Sequence, residues 1–312
     1  TQMNLLLRTS QIALRGVLRR PPAMLGYTSK QQAYSCRPFF PSSVISSVKP
    51  PFSFSKTTRS LSSETLAQIG RVHSLYDFTT VDGPGIRYMI FLQGCLRRCA
   101  FCFNPDSWDI NGGTRMTADD IMKNLKDHVG YMRPNNGGVT ISGGDALLQP
   151  DFVAEIFRRA HEELGVTTCL DTSGLGHESG WNKVLPHTDL VLLCIKSANP
   201  RTFFDLTEST NESMIKFAGH VATAKIPLRI RHVLIPGITD TEQETKALVR
   251  FARNQPTLEM IEVLPYHTLG VSKWEEMNLK YRLADARTPT REEKLNFVKS
   301  LEDEGFKVLC EE

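Results

Sequence analysis

Residues 1–63 contain neither aspartate nor glutamate; the first carboxylate of this 312-residue chain is Glu64. That stretch carries nine of the 37 basic residues: Arg8, Arg15, Arg19, Arg20, Lys30, Arg37, Lys49, Lys56 and Arg59. The formal charge of +3 therefore conceals a remainder, residues 64–312, at −6, with 28 basic side chains against 34 acidic ones. A basic, serine-rich, acid-free leader is the composition of an organelle transit peptide. Arg8, Arg15 and Arg19 recur at helical spacing, as Leu7, Leu14 and Leu18 do on a different face. That pattern predicts an amphipathic helix at a membrane surface. Arg59-Ser60-Leu61-Ser62 resembles a mitochondrial processing site. Residues 1–63 are thus expected to be a disordered targeting segment, and residues 64–312 the working domain. The expected location is an organelle matrix, the mitochondrion in preference to a plastid. The competing reading, a basic tail for nucleic acid, does not explain why the helix pattern and the exclusion of acids coincide. The acidic remainder gives no reason to expect nucleic-acid binding.

Other absences narrow the class. No stretch approaches the roughly 18 uninterrupted apolar residues of a membrane-spanning helix. No internal repeat is visible, nor any Ser-His-Asp or paired-carboxylate arrangement. The seven cysteines are odd in number, and three of them, Cys95, Cys99 and Cys102, fall within eight residues. That crowding excludes an ordinary disulfide framework and favours a reducing compartment with a metal site.

What is present is an alternation of short apolar runs and amphipathic segments. Strands are predicted over 88–92, 138–142, 167–170, 190–195, 228–234, 260–264 and 306–309. Helices are predicted over 118–128, 151–164, 212–224, 241–252 and 291–303. Thr117 is placed to cap the first helix with Asp120 at the capping-box position, and Gly165 to stop the second. Strand–helix alternation implies parallel strands with crossover helices in one α/β domain. The strands read as leucine-rich and β-branched on both faces, as expected of a sheet covered by helices. Sites in such folds gather at the carboxyl ends of the strands.

Cys95, Cys99 and Cys102, spaced Cys-x3-Cys-x2-Cys, follow the first predicted strand and Gly94. Thiolates suit iron–sulfur clusters or zinc. Zinc calls for a fourth Cys or His nearby, and position 103 is Phe. Three cysteines on a cubane leave one iron open to a substrate. This spacing, with aromatic Phe101 before the third cysteine, is the signature of radical S-adenosylmethionine (SAM) enzymes. The surrounding motifs are more specific. The chain carries Gly70-Arg71-Val72-His73-Ser74, Thr80-Val81-Asp82-Gly83-Pro84-Gly85-Ile86-Arg87 and Phe91-Leu92-Gln93-Gly94-Cys95. Further on come Gly143-Gly144-Asp145, Cys169-Leu170-Asp171-Thr172-Ser173-Gly174, Ile230-Arg231-His232 with Pro236-Gly237, and Leu264-Pro265-Tyr266-His267. In this order they resemble the radical SAM activases of glycyl radical enzymes, over essentially everything after residue 69.

The resemblance implies a partial (β/α)6 TIM-like barrel of the radical SAM type. It implies a [4Fe–4S] cluster on Cys95, Cys99 and Cys102 whose open iron is chelated by SAM. An external flavodoxin- or ferredoxin-like donor supplies the electron, SAM is cleaved to methionine and a 5′-deoxyadenosyl radical, and a backbone glycine of the partner enzyme loses a hydrogen. Phe101, Gly143, Gly144, Asp145, Lys196, Arg231 and His267 are implied around SAM, and Lys196, Arg231 and His267 are read as ending strands. Asp171 and Thr172 match positions that hold a monovalent cation in the family. Asp82, Gly83, Pro84 and Gly85 match a turn that receives the glycine loop. No cysteine lies between Cys102 and Cys169, so the chain is of the short single-cluster type, which favours pyruvate formate-lyase as partner and a monomeric activase. An activase of another glycyl radical enzyme, and a metal-binding scaffold without SAM chemistry, are the alternatives.

Three positions depart from the family. Phe103 replaces the usual His after the third cysteine, Gly-Gly-Asp replaces Gly-Gly-Glu, and the Asp-x-Lys motif reads Cys194-Ile195-Lys196. Either Asp145 or a water takes over the missing carboxylate at 194, or SAM binds more weakly.

Overall fold

The computed structural model describes residues Ile69–Cys310, and the leader 1–63 lies outside them. Nine strands form one sheet: β1 (Ile69–Thr79), β2 (Arg87–Leu92), β3 (Thr114–Thr117), β4 (Gly138–Gly143), β5 (Thr167–Thr172), β6 (Leu190–Ile195), β7 (Leu228–Leu234), β8 (Leu258–Pro265) and β9 (Val308–Cys310), in the order β3-β1-β2-β4-β5-β6-β7-β8-β9. From β2 through β4 to β9 the pairing is parallel, and the order leaves β3 and β9 as separate edges. This open, twisted run of parallel strands with helical crossovers is the partial barrel that the motifs imply. The longer helices are α1 (Ala118–Lys126), α2 (Pro150–Arg159), α3 (Glu178–Val184), α4 (Pro200–Thr207), α5 (Glu212–Ala224), α6 (Glu242–Arg253), α7 (Val271–Glu276) and α8 (Arg291–Glu302).

Local chemistry explains the boundaries. Thr117 accepts from the Asp120 N–H while the Asp120 carboxylate accepts from Thr117 N–H, so the expected capping box is formed. The helix expected over 151–164 is two pieces: α2 ends at Arg159, and a π-helical turn, Ala160–Leu164, carries the chain to Gly165 at φ +57°. β1 and β3, antiparallel to one another and absent from the sequence prediction, extend the sheet beyond β2.

The sheet has two unlike faces. Ile90, Leu92, Val139, Ile141, Leu170, Val191, Leu193, Ile195, Leu228, Ile230, Ile261 and Val263 pack with helix residues such as Ile121, Phe152, Ile156, Trp181, Phe217, Val221 and Leu248 into the main core. The alternate positions are mixed: Met89, Phe91, Val233, Met260, Leu264 and a small Cys169–Leu190–Leu192 cluster are apolar, while Arg87, Thr140, Ser142, Asp171, Cys194, Arg229, Arg231 and Glu262 are polar. The expectation of two apolar faces is therefore corrected in part. Period-two alternation sends every second side chain away from the helices, and about half of those positions are polar or charged.

Candidate active site

The cysteine loop begins where β2 runs out. Gly94, at φ +104°, turns the chain, and its N–H donates to Ser107 O at 2.7 Å. Gln93 Nε2 donates to Asp106 O and Asp109 O, both at 2.9 Å, closing residues 93–109 on themselves. Arg98 N–H and Ala100 N–H donate to Thr207 O and Leu206 O, which ties the loop to the end of α4. Arg97, buried within the cysteine run, donates to Ser173 Oγ and O, Ser209 Oγ and Ser213 Oγ and lies 4.7 Å from the Phe203 ring. Trp274 of α7 donates from Nε1 to Cys102 O at 2.9 Å.

Held in this way, Cys95, Cys99 and Cys102 line one cavity of about 280 Å³. The same cavity is lined by Phe101, Gly143, Gly144, Asp171, Thr172, Cys194, Lys196 and His267. All lie at or just past the carboxyl ends of β2, β4, β5, β6 and β8, brought together from 173 positions of sequence. Burial, with neighbouring Asp145 and the other thiols, pushes Cys95 up to about 12, and burial with Cys99 pushes Cys102 up to about 11. Thiols so crowded ionise together only against a cation, which an iron cluster provides. Among the described residues no three His, Cys, Asp or Glu stand close enough to hold a single metal ion. Three thiols lining one cavity are a donor set that an iron–sulfur cluster accepts.

The two glycines after β4 have a steric reason. A Cβ on Gly143 would stand 2.1 Å from Leu92 O, and one on Gly144 2.2 Å from Gly94 O. Gly143 also holds φ +126°. Both let β4 close on the cysteine loop and leave bare backbone facing the cavity. Asp145, in contrast, turns inward and is absent from the cavity lining. It accepts from Thr172 Oγ1 at 2.7 Å and from Ser173 N–H and Oγ at 2.9 and 2.7 Å, so it fixes the end of β5.

Asp171 is the carboxylate of the cavity. It accepts from Ser142 Oγ at 2.5 Å and from Cys194 Sγ at 3.1 Å. Burial and then Asp171 push the Cys194 thiol up to about 12, so it remains a neutral donor. The carboxylate beside position 194 is Asp171, and Asp145, the expected substitute, is directed at Thr172 and Ser173 outside the cavity lining. Lys196 stands 5.6 Å from the centre of the Phe101 ring. Burial alone would lower its pKa, but nearby Cys194, Cys99 and Asp171 outweigh that and raise it.

Arg231 does not end a strand, as expected, but sits in the middle of β7 and outside the cavity lining. Its guanidinium lies 3.3 Å from Asp82, 3.5 Å from Asp171 and 3.2 Å from Glu262. Three carboxylates hold it in the polar face of the sheet. His267, just past β8, stacks edge-on against Phe103 at 5.4 Å, and both line the cavity. Asp82, Gly83, Pro84 and Gly85 precede β2 and also lie outside the lining. Their turn is fixed by Gly83 at φ +120° and Gly85 at φ +71°, and Thr140 Oγ1 donates to Asp82 O at 2.8 Å. Through Arg231, Asp82 is one ion pair removed from Asp171. Sequence reasoning missed Arg97, Ser142 and Trp274. Ser142 precedes the glycine pair and could have been read from strand alternation; the other two carry no local signal.

Residues 81–197 match the family model described as a 4Fe-4S single cluster domain. The chain is 40% identical over 247 residues to the pyruvate formate-lyase 1-activating enzyme of Escherichia coli (strain K12), covering 78% of this chain and 100% of that protein. It is 38% identical over 235 residues to the pyruvate formate-lyase-activating enzyme of Clostridium pasteurianum, covering 75% and 98%. Among solved structures, a radical SAM methyltransferase from Sphaerobacter thermophilus aligns with a TM-score of 0.55 at 15% identity, over 77% of this chain and 76% of that one. Streptococcus suis SuiB bound to precursor peptide SuiA aligns at 0.52 and 20% identity, over 70% and 47%. These two likenesses concern the fold alone.

Proposed function

The chain belongs to the pyruvate formate-lyase activating enzymes, and we propose that pyruvate formate-lyase is its substrate protein, one backbone glycine of which is presented at the cavity of Cys95, Cys99 and Cys102. It is a radical SAM enzyme, with a [4Fe–4S] cluster and SAM as cofactors. When bound, these supply the reductive cleavage and the hydrogen-abstracting radical, chemistry that belongs to the cofactor while the protein orients and shields it. The observation that carries the reading is the convergence of three thiols, a glycine-pair backbone and Lys196 in one cavity.

Each residue then has a task. Cys95, Cys99 and Cys102 hold the cluster, and the loop bonds from Gln93, Arg97 and Arg98 keep their spacing before it arrives. Gly143 and Gly144 offer backbone to the amino-acid part of SAM. Lys196, kept charged beside Asp171, neutralises its carboxylate, and Asp171 with Thr172 provides hard oxygens for a monovalent cation there. Asp145 acts one step back, by orienting Thr172. Phe101, Phe103 and His267 wall the cavity and exclude water. Arg231 serves by holding Asp171 in place. The turn Asp82–Gly85 is proposed to receive the glycine loop, its position linked to the cavity through Arg231 and Asp171. The acid-free leader supports import into an organelle matrix, mitochondrial rather than plastid.

The test is anaerobic reconstitution with iron and sulfide, then dithionite and SAM with pyruvate formate-lyase. The expected results are 5′-deoxyadenosine and a glycyl radical signal by electron paramagnetic resonance. SAM cleavage with no radical on pyruvate formate-lyase, but one on another glycyl radical enzyme, would overturn the partner.

A further inference from the structure

The reaction needs one electron per SAM, and nothing in the cavity can deliver it. The cysteine loop has a second side. Behind it runs a groove of about 630 Å³ whose walls include Arg71, Gly94, Leu96, Ile110, Arg115 and Leu148. Gly94 lines this groove, and the next residue, Cys95, lines the cavity. The wall between solvent and the cluster is here one turn of backbone.

Its surface is unlike the rest of the domain. Leu96 and Ile110 are 62% and 56% exposed although Leu96 lies within, and Ile110 just after, the hydrogen-bonded cysteine loop. No carboxylate lines the groove, in a domain of residues 64–312 that carries −6. The Arg71 guanidinium donates to the carbonyls of Asn111 and Gly112, and Arg115 is exposed; neither has an ion pair among the described residues. The nearest acid in sequence, Asp109, accepts from Asn111 N–H. Two cations around two exposed aliphatics, beside the residue that adjoins Cys95, form a rim-and-core pattern for a negatively charged protein with an apolar contact at its own redox group.

We propose that this groove is the docking site of the electron donor, an acidic one-electron carrier protein. It rests on the radical SAM reading of the cavity. The reduced carrier would give up one electron to a cluster held by Cys95, Cys99 and Cys102, and no bond is made or broken. The groove shares no lining residue with the cavity or with the turn Asp82–Gly85 proposed for the glycine loop, so donor and substrate need not compete for surface.

The experiment mixes the anaerobically reconstituted full chain with photoreduced bacterial flavodoxin and follows the bleaching of the cluster by stopped flow. Arg115→Glu and Ile110→Asp, both exposed and outside the cavity, are expected to slow this reduction roughly tenfold. Added salt should slow the wild type and matter less to Arg115→Glu. Reduction by dithionite, and melting temperature, should be the same in all three proteins. Equal flavodoxin rates in wild type and variants overturn the proposal, as does failure of flavodoxin to reduce the wild-type cluster that dithionite reduces. Absence of 5′-deoxyadenosine under dithionite with SAM is a different failure: it removes the catalytic reading and leaves the docking measurement standing.

Discussion

The two faces of the sheet are built on opposite rules. On the helix side, Ile90, Ile141, Leu170, Leu193 and Ile230 are all fully buried within one apolar cluster. On the other side, at alternate positions of the same strands, Arg231 faces Asp82, Asp171 and Glu262, while Arg87 donates to Thr140 Oγ1, Thr167 Oγ1 and Val139 O. The first face is stabilised by area removed from water and tolerates exchange of similar volumes. The second gains little net energy from its buried charges and loses much when one partner is removed. Most of the stability comes from the first face, and the placement of Asp171 from the second.

The largest test of this division lies at the polar face's upper edge. Cys99→Ala should abolish both the cluster, read by iron content and absorbance, and SAM cleavage. The apo fold should persist, because the loop is tied by Arg97, Gln93 and backbone bonds rather than by the thiol. Loss of the fold together with the cluster would mean that the two faces are not independent.

Arg231→Leu is next. It leaves buried Asp171 and Glu262, the latter still paired with Arg229, and partly buried Asp82 around an apolar side chain, and breaking a buried ion group in this way costs about 3–5 kcal/mol. Burial already raises the Glu262 pKa, and Arg231 works against that shift. With Arg231 gone, burial and Asp171 push that carboxyl higher, so the native state takes up protons more readily than the unfolded chain. The variant's deficit should therefore shrink as pH falls toward the ordinary carboxylate range. Denaturant unfolding at two pH values checks the sign, and a deficit independent of pH would assign the loss to packing. The helix side offers the contrast: Ile141→Val, one methylene from a fully buried position, should cost only about 0.5–1.5 kcal/mol and leave cluster content unchanged.

The same division explains what was legible in the sequence. The helix over 212–224 and the strand over 228–234 were readable end to end, because apolar spacing toward one core is a local signal. α4 was missed although Asn199 caps it and Pro200 occupies its first turn, a start signal carried by two residues ahead of a short helix. β1 was missed because Gly70, Arg71, His73 and Ser74 break any alternation; its pairing with β2 is tertiary. Cys95, Cys99, Cys102, Gly143, Gly144 and Lys196, singled out by the motifs, all line the one cavity. They could not place Arg231, whose partners Asp82 and Asp171 are 149 and 60 positions away. No window of sequence contains an ion pair of that span.

The smallest expected effect concerns the residue where the two rules meet. Cys194 is on the polar face yet carries no charge, because burial and Asp171 hold its thiol protonated and it donates to Asp171 Oδ1 at 3.1 Å. One oxygen of the carboxylate nearest Lys196 is thereby occupied by a neutral donor. Cys194→Asp would put a second carboxylate at that separation, and two such groups ionise together only with a cation between them. The variant should bind SAM several-fold more tightly in high potassium than in low, measured by equilibrium binding to the cluster-loaded protein. The wild type should show a weaker dependence on potassium, since its thiol already satisfies Asp171. Identical potassium dependence in the two proteins would show that position 194 has no part in the cation site, and that Asp171 and Thr172 hold any cation without it.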